Sequence, residues 1–363
     1  MEGLHIQHIT TKVKAALLGC TGLVGQQFVR MLDDHPYFEL VALTSSPRSA
    51  GKPYGRAVSW FLGGDAPEYL KDKAILNTSA ECVAASGARV VFNALPSSVS
   101  SALEPELRRR GLYVFSNASC RRLDDDVPLL VPEVNAGHLE LARRQVSEFG
   151  GAIITNSNCS TSGLVMVLKP LERFGLEAVT VATYQAVSGA GRRGVAAMDI
   201  GANIIPFIRD EEEKMAVESR KIMGRWNGER VMQRDVTINA SCCRVPVRDG
   251  HLLSLRLDLA RDPGPDEVAS VLSSFRAAPQ DLRLPSAPVR PLIVRFEEDR
   301  PQPLLDAMAG RPERARGMAV TVGRIRKKGR SVNCFALVHN TIRGAAGTCL
   351  LNAELAFRYG ILH

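Results

Sequence analysis

Apolar residues in the first part of the chain fall into short buried-strand runs. These runs lie at 13–18, 40–44, 90–95 and 113–115, and a segment with helical apolar spacing at 102–110 stands between the last two. Alternation of buried strands with amphipathic helices is typical of an α/β fold with a doubly wound parallel sheet. We therefore predict this fold for the first domain.

The pattern changes beyond residue 156, where strands predominate. We predict helices over 265–277 and 344–359, and strands over 178–184, 236–245, 253–259, 318–324 and 334–338. Alternating apolar and polar residues in several of these strands are expected of a sheet with one buried face. The second domain is thus predicted to be α+β with a mainly antiparallel sheet. We expect the first domain to cover 1–156, completed by a C-terminal helix within 345–363, and the second to cover 157–344.

Composition excludes several classes of protein. The 363 residues are 45% hydrophobic and 23% charged, which is ordinary for a globular protein of two domains. No stretch approaches the roughly 18 apolar residues of a membrane span. The first dozen residues hold no signal-like apolar run, so we expect a cytoplasmic protein without a membrane partner.

Charge and cysteine usage add two further exclusions. The net charge is +8, but the basic clusters at 108–110 and 324–330 are short and lack interleaved aromatic residues, so we expect no nucleic-acid binding. The eight cysteines are scattered without zinc-ligand spacing. We therefore expect reduced thiols and no metal site.

A glycine-rich turn directly follows the first predicted strand, and a helical pattern follows the turn. Its residues are Gly19, Cys20, Thr21, Gly22, Leu23, Val24 and Gly25. Strand, glycine turn and helix form the context in which a dinucleotide pyrophosphate rests on a helix N-terminus, although the spacing is G-x-x-G-x-x-G and not G-x-G-x-x-G. The alternative is a purely structural turn. We predict a Rossmann-like domain whose cofactor contacts are Gly19, Thr21, Gly22, Leu23, Val24 and Gly25.

The end of the second predicted strand suggests which dinucleotide binds. An NAD enzyme usually places an acidic residue there for the ribose 2′-hydroxyl. This chain instead has Ser45, Ser46, Arg48 and Ser49, which suit a 2′-phosphate. We therefore predict NADP as the cofactor, with the alternative that Arg48 is only a surface charge.

Cys159 is the strongest candidate for a nucleophile. It lies between the β-branched run 152–154 and a segment with helical spacing, so we place it just before a helix begins. The unpaired N–H groups and partial positive charge of a helix N-terminus stabilise a thiolate and an oxyanion. Polar neighbours, among them Asn158 and Ser160, favour this interpretation over a buried structural cysteine.

Several separated motifs occur in the order found in one enzyme family. They are the glycine turn 19–25, the stretch 156–161 around Cys159, the segment 185–191, the acidic run 211–214, Arg244 with Gly250-His251, and 339–347. Together they resemble aspartate-β-semialdehyde dehydrogenases of the archaeal and fungal branch. The resemblance implies a homodimer or homotetramer whose second domain is catalytic and dimerising. It also implies NADPH-dependent reductive dephosphorylation of L-aspartyl 4-phosphate to aspartate semialdehyde and phosphate, a step toward lysine, methionine and threonine.

The resemblance assigns roles to individual residues. Cys159 forms a thioester, His251 on a loop manages protons, and Gln185 and Asn158 support the acyl intermediate. In substrate binding, Arg244 holds the α-carboxylate and Glu211 the ammonium, while the phosphate falls to Lys214, Arg122 and Asn117. Further cofactor contacts are Ser188, Gly189 and Asn340.

Three positions depart from the family pattern, and three rival functions stay open. Cys243, Leu252 and Cys120 replace residues that are usually polar, which leaves open a relaxed substrate range or sensitivity to thiol oxidation. A malonyl-CoA reductase or an N-acetylglutamyl-phosphate reductase would share the chemistry but has no substrate ammonium for Glu211. A nucleotide-binding regulatory protein is disfavoured because both Cys159 and His251 are present.

Overall fold

The structure is a computed structural model that describes residues 11–362. Residues 1–10 and 363, which the predicted first domain includes, lie outside the described residues. The strands of the first sheet are β1 (Val13–Leu18), β2 (Phe38–Ser45), β3 (Leu76–Asn77), β4 (Val90–Asn93), β5 (Tyr113–Ser116), β6 (Leu129–Leu130) and β7 (Ala152–Asn156). The other strands are β8 (Leu176–Gln185), β9 (Arg225–Trp226), β10 (Val231–Met232), β11 (Thr237–Arg244), β12 (His251–Leu259), β13 (Leu292–Arg295), β14 (Val320–Lys328) and β15 (Ser331–Val338).

The α-helices occur between these strands and at the end of the chain. They are α1 (Leu23–Leu32), α2 (Tyr54–Ala57), α3 (Ala80–Ala85), α4 (Ser97–Arg109), α5 (Pro132–Asn135), α6 (Leu139–Phe149), α7 (Cys159–Leu171), α8 (Ala197–Ile200), α9 (Glu211–Ile222), α10 (Pro265–Ser273), α11 (Ala278–Asp281), α12 (Pro303–Asp306) and α13 (Gly347–Arg358). Within the described range, no helix is both long and apolar enough to cross a membrane.

The first sheet has the predicted doubly wound topology. Its order is β3-β2-β1-β4-β5-β7-β6, and every neighbouring pair is parallel. All residues of β4, β5 and β7 are buried, because helices cover both faces of a parallel sheet. From β1 the strands are added first on one side, as β2 and β3, and then on the other side, beginning with β4. A dinucleotide site is expected at this switch point between β1 and β4. The predicted glycine turn follows β1 directly.

The second sheet is mainly antiparallel, as predicted. Its order is β11-β8-β12-β15-β14-β13, and β8–β12, β12–β15 and β14–β15 are antiparallel pairs. The two edge pairs, β8–β11 and β13–β14, are parallel, a detail that the sequence pattern did not predict. A parallel pair requires a long crossover, and the chain between β8 and β11 provides one that contains α9.

Three local predictions differ from the structure. The helix predicted over 265–277 ends at Ser273. His251 is the first residue of β12 and not a loop residue, because its backbone is in register with Val338 of β15. The last predicted helix begins as a π-helix, Ile342–Ala346, before it continues as α13.

Hydrophobic packing supports our proposed division of the chain. Buried residues of α13, such as Leu350 and Leu351, share a core with residues of the first sheet, such as Phe92 and Phe115. A separate core joins α7 to the second sheet. We therefore propose the division into 1–156 with 345–363 and 157–344 as the domain organisation.

A buried ion pair joins the π-helix to the first domain. The guanidinium of Arg343 donates to both carboxylate oxygens of Glu133 on α5, at 2.8 and 2.6 Å, and both side chains are fully buried. Burying two charges is costly, so removing one partner leaves an uncompensated charge in the core.

We predict that Glu133→Gln lowers the free energy of unfolding by about 3 kcal/mol, since it leaves Arg343 charged and buried. The matched control is Glu140→Gln, which breaks a half-exposed pair with Arg143 and should cost less than about 1 kcal/mol. Urea denaturation followed by circular dichroism measures both. Equal losses in the two variants would contradict this account of the pair.

Candidate active site

The ends of four strands meet at one edge of the second sheet. Because β8 and β11 are parallel, their carboxyl ends lie side by side, and Gln185 is in register with Arg244. Because β12 is antiparallel to β8 and β15, its first residue, His251, lies at the same edge beside Val338. The sheet topology therefore brings Gln185, Arg244 and His251 together from distant parts of the sequence.

Cys159 reaches this edge as the first residue of α7. Asn158 is the N-cap of that helix, and its side-chain oxygen accepts hydrogen bonds from the backbone N–H groups of Ser160 and Thr161 at 2.8 and 3.2 Å. The sulfur of Cys159 lies 3.2 Å from Nε2 of His251. The structure therefore brings together Cys159, the predicted nucleophile, and His251, the residue predicted to transfer protons, although they are 92 residues apart in the sequence.

A backbone hydrogen bond fixes the tautomer of His251, and burial keeps the ring neutral. The N–H of Ala186 donates to Nδ1 at 3.0 Å, so Nδ1 is an acceptor and the single proton of a neutral imidazole must be on Nε2. Burial, together with Arg244 and His339, lowers the pKa of His251 to about 3. His251 is therefore neutral in the resting site, and its Nε2–H points at the sulfur of Cys159.

The electrostatics of the resting cysteine differ from the sequence prediction. Burial and the negative charge of Glu211 raise the pKa of Cys159 to about 12, and the opposing effects of Arg244 and Arg122 are smaller. The N–H groups of the helix N-terminus, which we expected to stabilise a thiolate, are outweighed in the resting site because desolvation has the larger effect. Cys159 rests as a thiol.

Two glycines leave room for the side chains of Cys159, His251 and Arg244 to pack close together. A Cβ on Gly189 would lie 2.7 Å from a guanidinium nitrogen of Arg244 and 3.2 Å from Nε2 of His251. A Cβ on Gly344, in the π-helix, would lie 2.6 Å from the Cβ of Cys159. Any larger side chain at either position would collide with the site.

Glu211 faces the site from the first turn of α9. Its carboxylate accepts hydrogen bonds from the side-chain amides of Asn158 and Gln185, each at 2.8 Å, and it is almost fully buried. Arg244 is similarly buried, and its guanidinium donates to the carbonyl of Ala186 at 2.8 Å. A buried anion and a buried cation therefore flank Cys159.

Sequence reasoning missed Glu218, which is buried beside the same turn. Its carboxylate accepts from the backbone N–H of Asn158 at 2.6 Å and from Arg122 at 2.8 Å. Glu218 follows Glu211 by seven residues, about two helical turns, so both belong to one face of α9. That spacing was the available signal in the sequence.

Two of the three predicted phosphate ligands lie together, and the third does not join them. The guanidinium of Arg122 donates to the carbonyl of Asn117 at 2.9 Å. Lys214 is partly exposed, and its ammonium lies 3.6 Å from the carboxylate of Asp210. A long side chain keeps its ammonium in water beside an exposed acid at lower cost than in a buried site. The structure therefore does not bring Lys214 into the Cys159 cluster.

The predicted dinucleotide turn has the geometry that a pyrophosphate requires. Gly19 has φ +78°, and a Cβ on Gly25 would lie 2.2 Å from the carbonyl oxygen of Gly19. Gly22 is the N-cap of α1 and has no side chain to cap the helix, so first-turn N–H groups at Leu23 and Val24 stay available to a ligand. The turn therefore fits a dinucleotide phosphate.

The other predicted cofactor residues lie at two places. The hydroxyls of Thr21 and Ser45 are 2.8 Å apart, and Ser46, Arg48 and Ser49 follow in an adjoining turn where Ser46 and Arg48 are exposed. At the second sheet, the amide of Asn340 donates to the hydroxyl of Ser188 at 2.8 Å, beside Gly189. Both groups lie at the carboxyl ends of strands. Thr21 follows β1, Ser45 is the last residue of β2, and Ser188 and Asn340 follow β8 and β15.

The described residues contain neither a disulfide nor a metal-binding cluster. All eight cysteines, including Cys120 and Cys243, are free thiols. No group of three or more potential metal ligands occurs among residues 11–362. Leu252 is in register with Tyr184, on the face of β12 opposite His251.

Comparisons with known proteins agree with this geometry. Residues 14–142 match the family described as semialdehyde dehydrogenase, NAD binding domain, and residues 168–343 match semialdehyde dehydrogenase, dimerisation domain. An aspartate-semialdehyde dehydrogenase of Archaeoglobus fulgidus is 43% identical over 97% of this chain and 100% of its own length. A malonyl CoA reductase (NADP) of Metallosphaera sedula is 34% identical over 96% of this chain and 98% of its own.

A solved structure is similar over nearly the whole fold. The crystal structure of aspartate semialdehyde dehydrogenase with NADP from Candida albicans superposes with a TM-score of 0.87 at 39% identity. The match covers 97% of this chain and 100% of that one. The similarity therefore extends across both sheets and the edge where the four strand ends meet.

We predict that alkylation of Cys159 by iodoacetamide accelerates about tenfold per pH unit from pH 7 to pH 10, without a plateau. The reason is that only the thiolate reacts, and a pKa of about 12 keeps its fraction small throughout this range. Peptide mass spectrometry of the Cys159 peptide measures the rate. A plateau beginning near pH 6 would show a resting thiolate–imidazolium pair and contradict the neutral state derived above.

Proposed function

The chain belongs to the semialdehyde dehydrogenase family, and on that premise we propose that it reduces L-aspartyl 4-phosphate to L-aspartate 4-semialdehyde with NADPH. The observation that carries the proposal is the contact of 3.2 Å between the sulfur of Cys159 and Nε2 of His251, flanked by Arg244 and Glu211. A covalent nucleophile with a proton donor and two opposite charges suits a zwitterionic acyl phosphate.

The buried charges account for the choice of substrate. Arg244 offers a planar fork to an α-carboxylate, Glu211 offers an anion to an α-ammonium, and Arg122 offers a cation to the phosphate. Malonyl-CoA has no ammonium, so Glu211 would remain a buried carboxylate without a charged partner. This favours an aspartyl substrate over the malonyl alternative.

Substrate binding also activates the nucleophile. Glu211 opposes ionisation of Cys159 in the resting site, and a bound ammonium neutralises that effect. Nε2–H of His251 then stabilises negative charge on the sulfur as it attacks the acyl carbon. Phosphate departs with the electrons of the carbon–oxygen bond and carries away the proton that the thiol of Cys159 loses, and the acyl group remains on Cys159 as a thioester.

The proposed cofactor site is formed by residues from both domains. The turn at Gly19 to Gly25 would hold the pyrophosphate, and Ser45, Ser46, Arg48 and Ser49 the 2′-phosphate, while Ser188, Gly189 and Asn340 line the catalytic side. Bound NADPH supplies the hydride that reduces the thioester. Nε2–H of His251 donates a hydrogen bond to the oxyanion at the former carbonyl. Collapse of this oxyanion breaks the carbon–sulfur bond and releases the aldehyde, and the departing thiolate of Cys159 takes a proton from solvent to restore the thiol.

We further propose a cytoplasmic assembly of at least two chains. Support comes from the matched dimerisation domain and from the open face of the second sheet, where Tyr184, Leu252 and Phe335 are at least partly exposed. An apolar sheet face of this kind favours burial against a second copy. The reaction serves the synthesis of lysine, methionine and threonine.

Phosphate-dependent reduction of NADP by aspartate semialdehyde tests the proposed reaction in its reverse direction. The purified protein should turn over repeatedly, forming more than about one NADPH per active site, only when aldehyde, NADP and phosphate are all present. Coenzyme A should not replace phosphate. Activity with malonate semialdehyde and coenzyme A, without activity on aspartate semialdehyde, would instead establish the malonyl-CoA alternative.

We predict that Arg244→Lys lowers kcat/KM for aspartate semialdehyde by about ten- to a hundred-fold. The lysine keeps the charge but cannot form two parallel bonds to the carboxylate, which forfeits about 1.5–3 kcal/mol and misplaces the reacting carbon. The KM for NADP should not change. Activity equal to that of the wild type would leave Arg244 with only a structural role.

Arg48→Ala tests the proposed 2′-phosphate site. Loss of one charge-assisted hydrogen bond should raise the KM for NADP by about tenfold or more, with little change in the weak activity with NAD. Because Arg48 is exposed in a turn, the variant should fold normally. Equal losses with both cofactors would contradict the assignment.

A further inference from the structure

Helix α9 presents three buried charged side chains to the active-site side of the protein. They are Glu211, Glu218 and Lys221, and their spacing of seven and three residues places them within one stripe of the helix. The proposed reaction uses Glu211 but not the other two. Buried charges are retained only where partners compensate them, so the contacts of Glu218 and Lys221 indicate what they do.

Glu218 bridges the two domains with its two carboxylate oxygens. One oxygen accepts from the backbone N–H of Asn158, the residue before the nucleophile, at 2.6 Å. The other accepts from a terminal nitrogen of Arg122, on the loop after β5, at 2.8 Å. Glu218 is 2% exposed, so both contacts are shielded from water. A single side chain therefore connects the Cys159 turn to the arginine that we assign to phosphate.

Lys221 holds the main chain of the same loop. Its ammonium donates to the carbonyls of Arg122, Asp124 and Val127, at 2.9, 2.7 and 3.0 Å. An ammonium has three hydrogens, so all of them are used. Lys221 therefore fixes the backbone of Arg122, while Glu218 fixes its side chain.

The contacts of Arg122 fix its guanidinium and leave one of its donors without a partner. One terminal nitrogen is bound to Glu218, and the other donates to the carbonyl of Asn117 at 2.9 Å. Nε is buried and has no hydrogen-bond partner among residues 11–362. Two anchors thus fix the plane of the guanidinium, and an unpartnered donor remains on the edge that includes Nε.

We propose that Glu218 is a positioning residue that sets Arg122 at the correct place relative to Cys159, so that the phosphate of the acyl phosphate is held where it can leave and return. This inference rests on the proposed reaction. Glu218 touches neither substrate nor cofactor in it, and it acts through Arg122. Glu218→Gln keeps one oxygen that can accept from the N–H of Asn158 but removes the charge that holds Arg122. It therefore weakens phosphate binding selectively, because the carboxylate of the substrate and the cofactor bind to other groups.

A double-mutant cycle on the KM for phosphate tests this inference. Phosphate-dependent reduction of NADP is measured in wild type, Glu218→Gln, Arg122→Gln and the double variant. Glu218→Gln should raise the KM for phosphate about tenfold and change the KM values for aldehyde and NADP less than twofold. In the Arg122→Gln background the same substitution should change the KM for phosphate less than twofold, because the residue through which it acts is gone.

Glu213→Gln is the matched control, because Glu213 is on the same helix but exposed. It should leave all three KM values unchanged. If Glu218→Gln does not fold, Glu218→Asp keeps the charge but is one methylene too short to reach both partners, and it should raise the KM for phosphate in the same selective way.

Two results would overturn the inference. One is an equal increase in all three KM values, and the other is an effect of Glu218→Gln that persists at full size in the Arg122→Gln background. Either would make Glu218 a structural residue only. Failure of the proposed reaction looks different, since the wild type itself would then show no phosphate-dependent activity.

Discussion

The site depends on how Asn158 is held between helices α7 and α9. Its side-chain oxygen caps α7, its side-chain amide donates to Glu211, and its backbone N–H donates to Glu218. These contacts fix the turn from which Cys159 emerges, and the strand ends then supply His251 and Arg244 around it. Because Asn158 contacts two carboxylates, a substrate ammonium could pair with Glu211 while Glu218 still accepts from the backbone N–H of Asn158.

The buried charges around Cys159 determine how readily its thiol ionises. The resting site keeps a neutral imidazole and a neutral thiol between buried ionic groups, and desolvation raises the pKa of the thiol to about 12. In the proposed reaction a zwitterionic substrate would change this balance, because its ammonium would pair with Glu211 and its carboxylate with Arg244. The nucleophile would then be activated chiefly when the correct substrate is bound, which would limit reaction of Cys159 with other electrophiles.

Local patterns in the sequence predicted much of the molecule. The glycine turn, the parallel sheet and the start of α7 at Cys159 follow from apolar periodicity and helix-terminus chemistry, which act over a few residues. The pKa of Cys159, the role of Glu218 and the position of Lys214 depend on tertiary burial, which periodicity does not report. Only the packing of α9 against 117–127 shows that its charged residues Glu218 and Lys221 are internal. The parallel edge of β11 was also missed, because strand direction depends on the crossover.

Mass spectrometry of acid-quenched protein shows whether Cys159 carries the acyl group. The wild type is mixed with aspartate semialdehyde and NADP in the absence of phosphate, so that the thioester forms but cannot be released by phosphorolysis. The account predicts a burst of about one NADPH per active site and an aspartyl adduct on the peptide that contains Cys159. NADPH formation without any adduct, or an adduct on another cysteine, would contradict it.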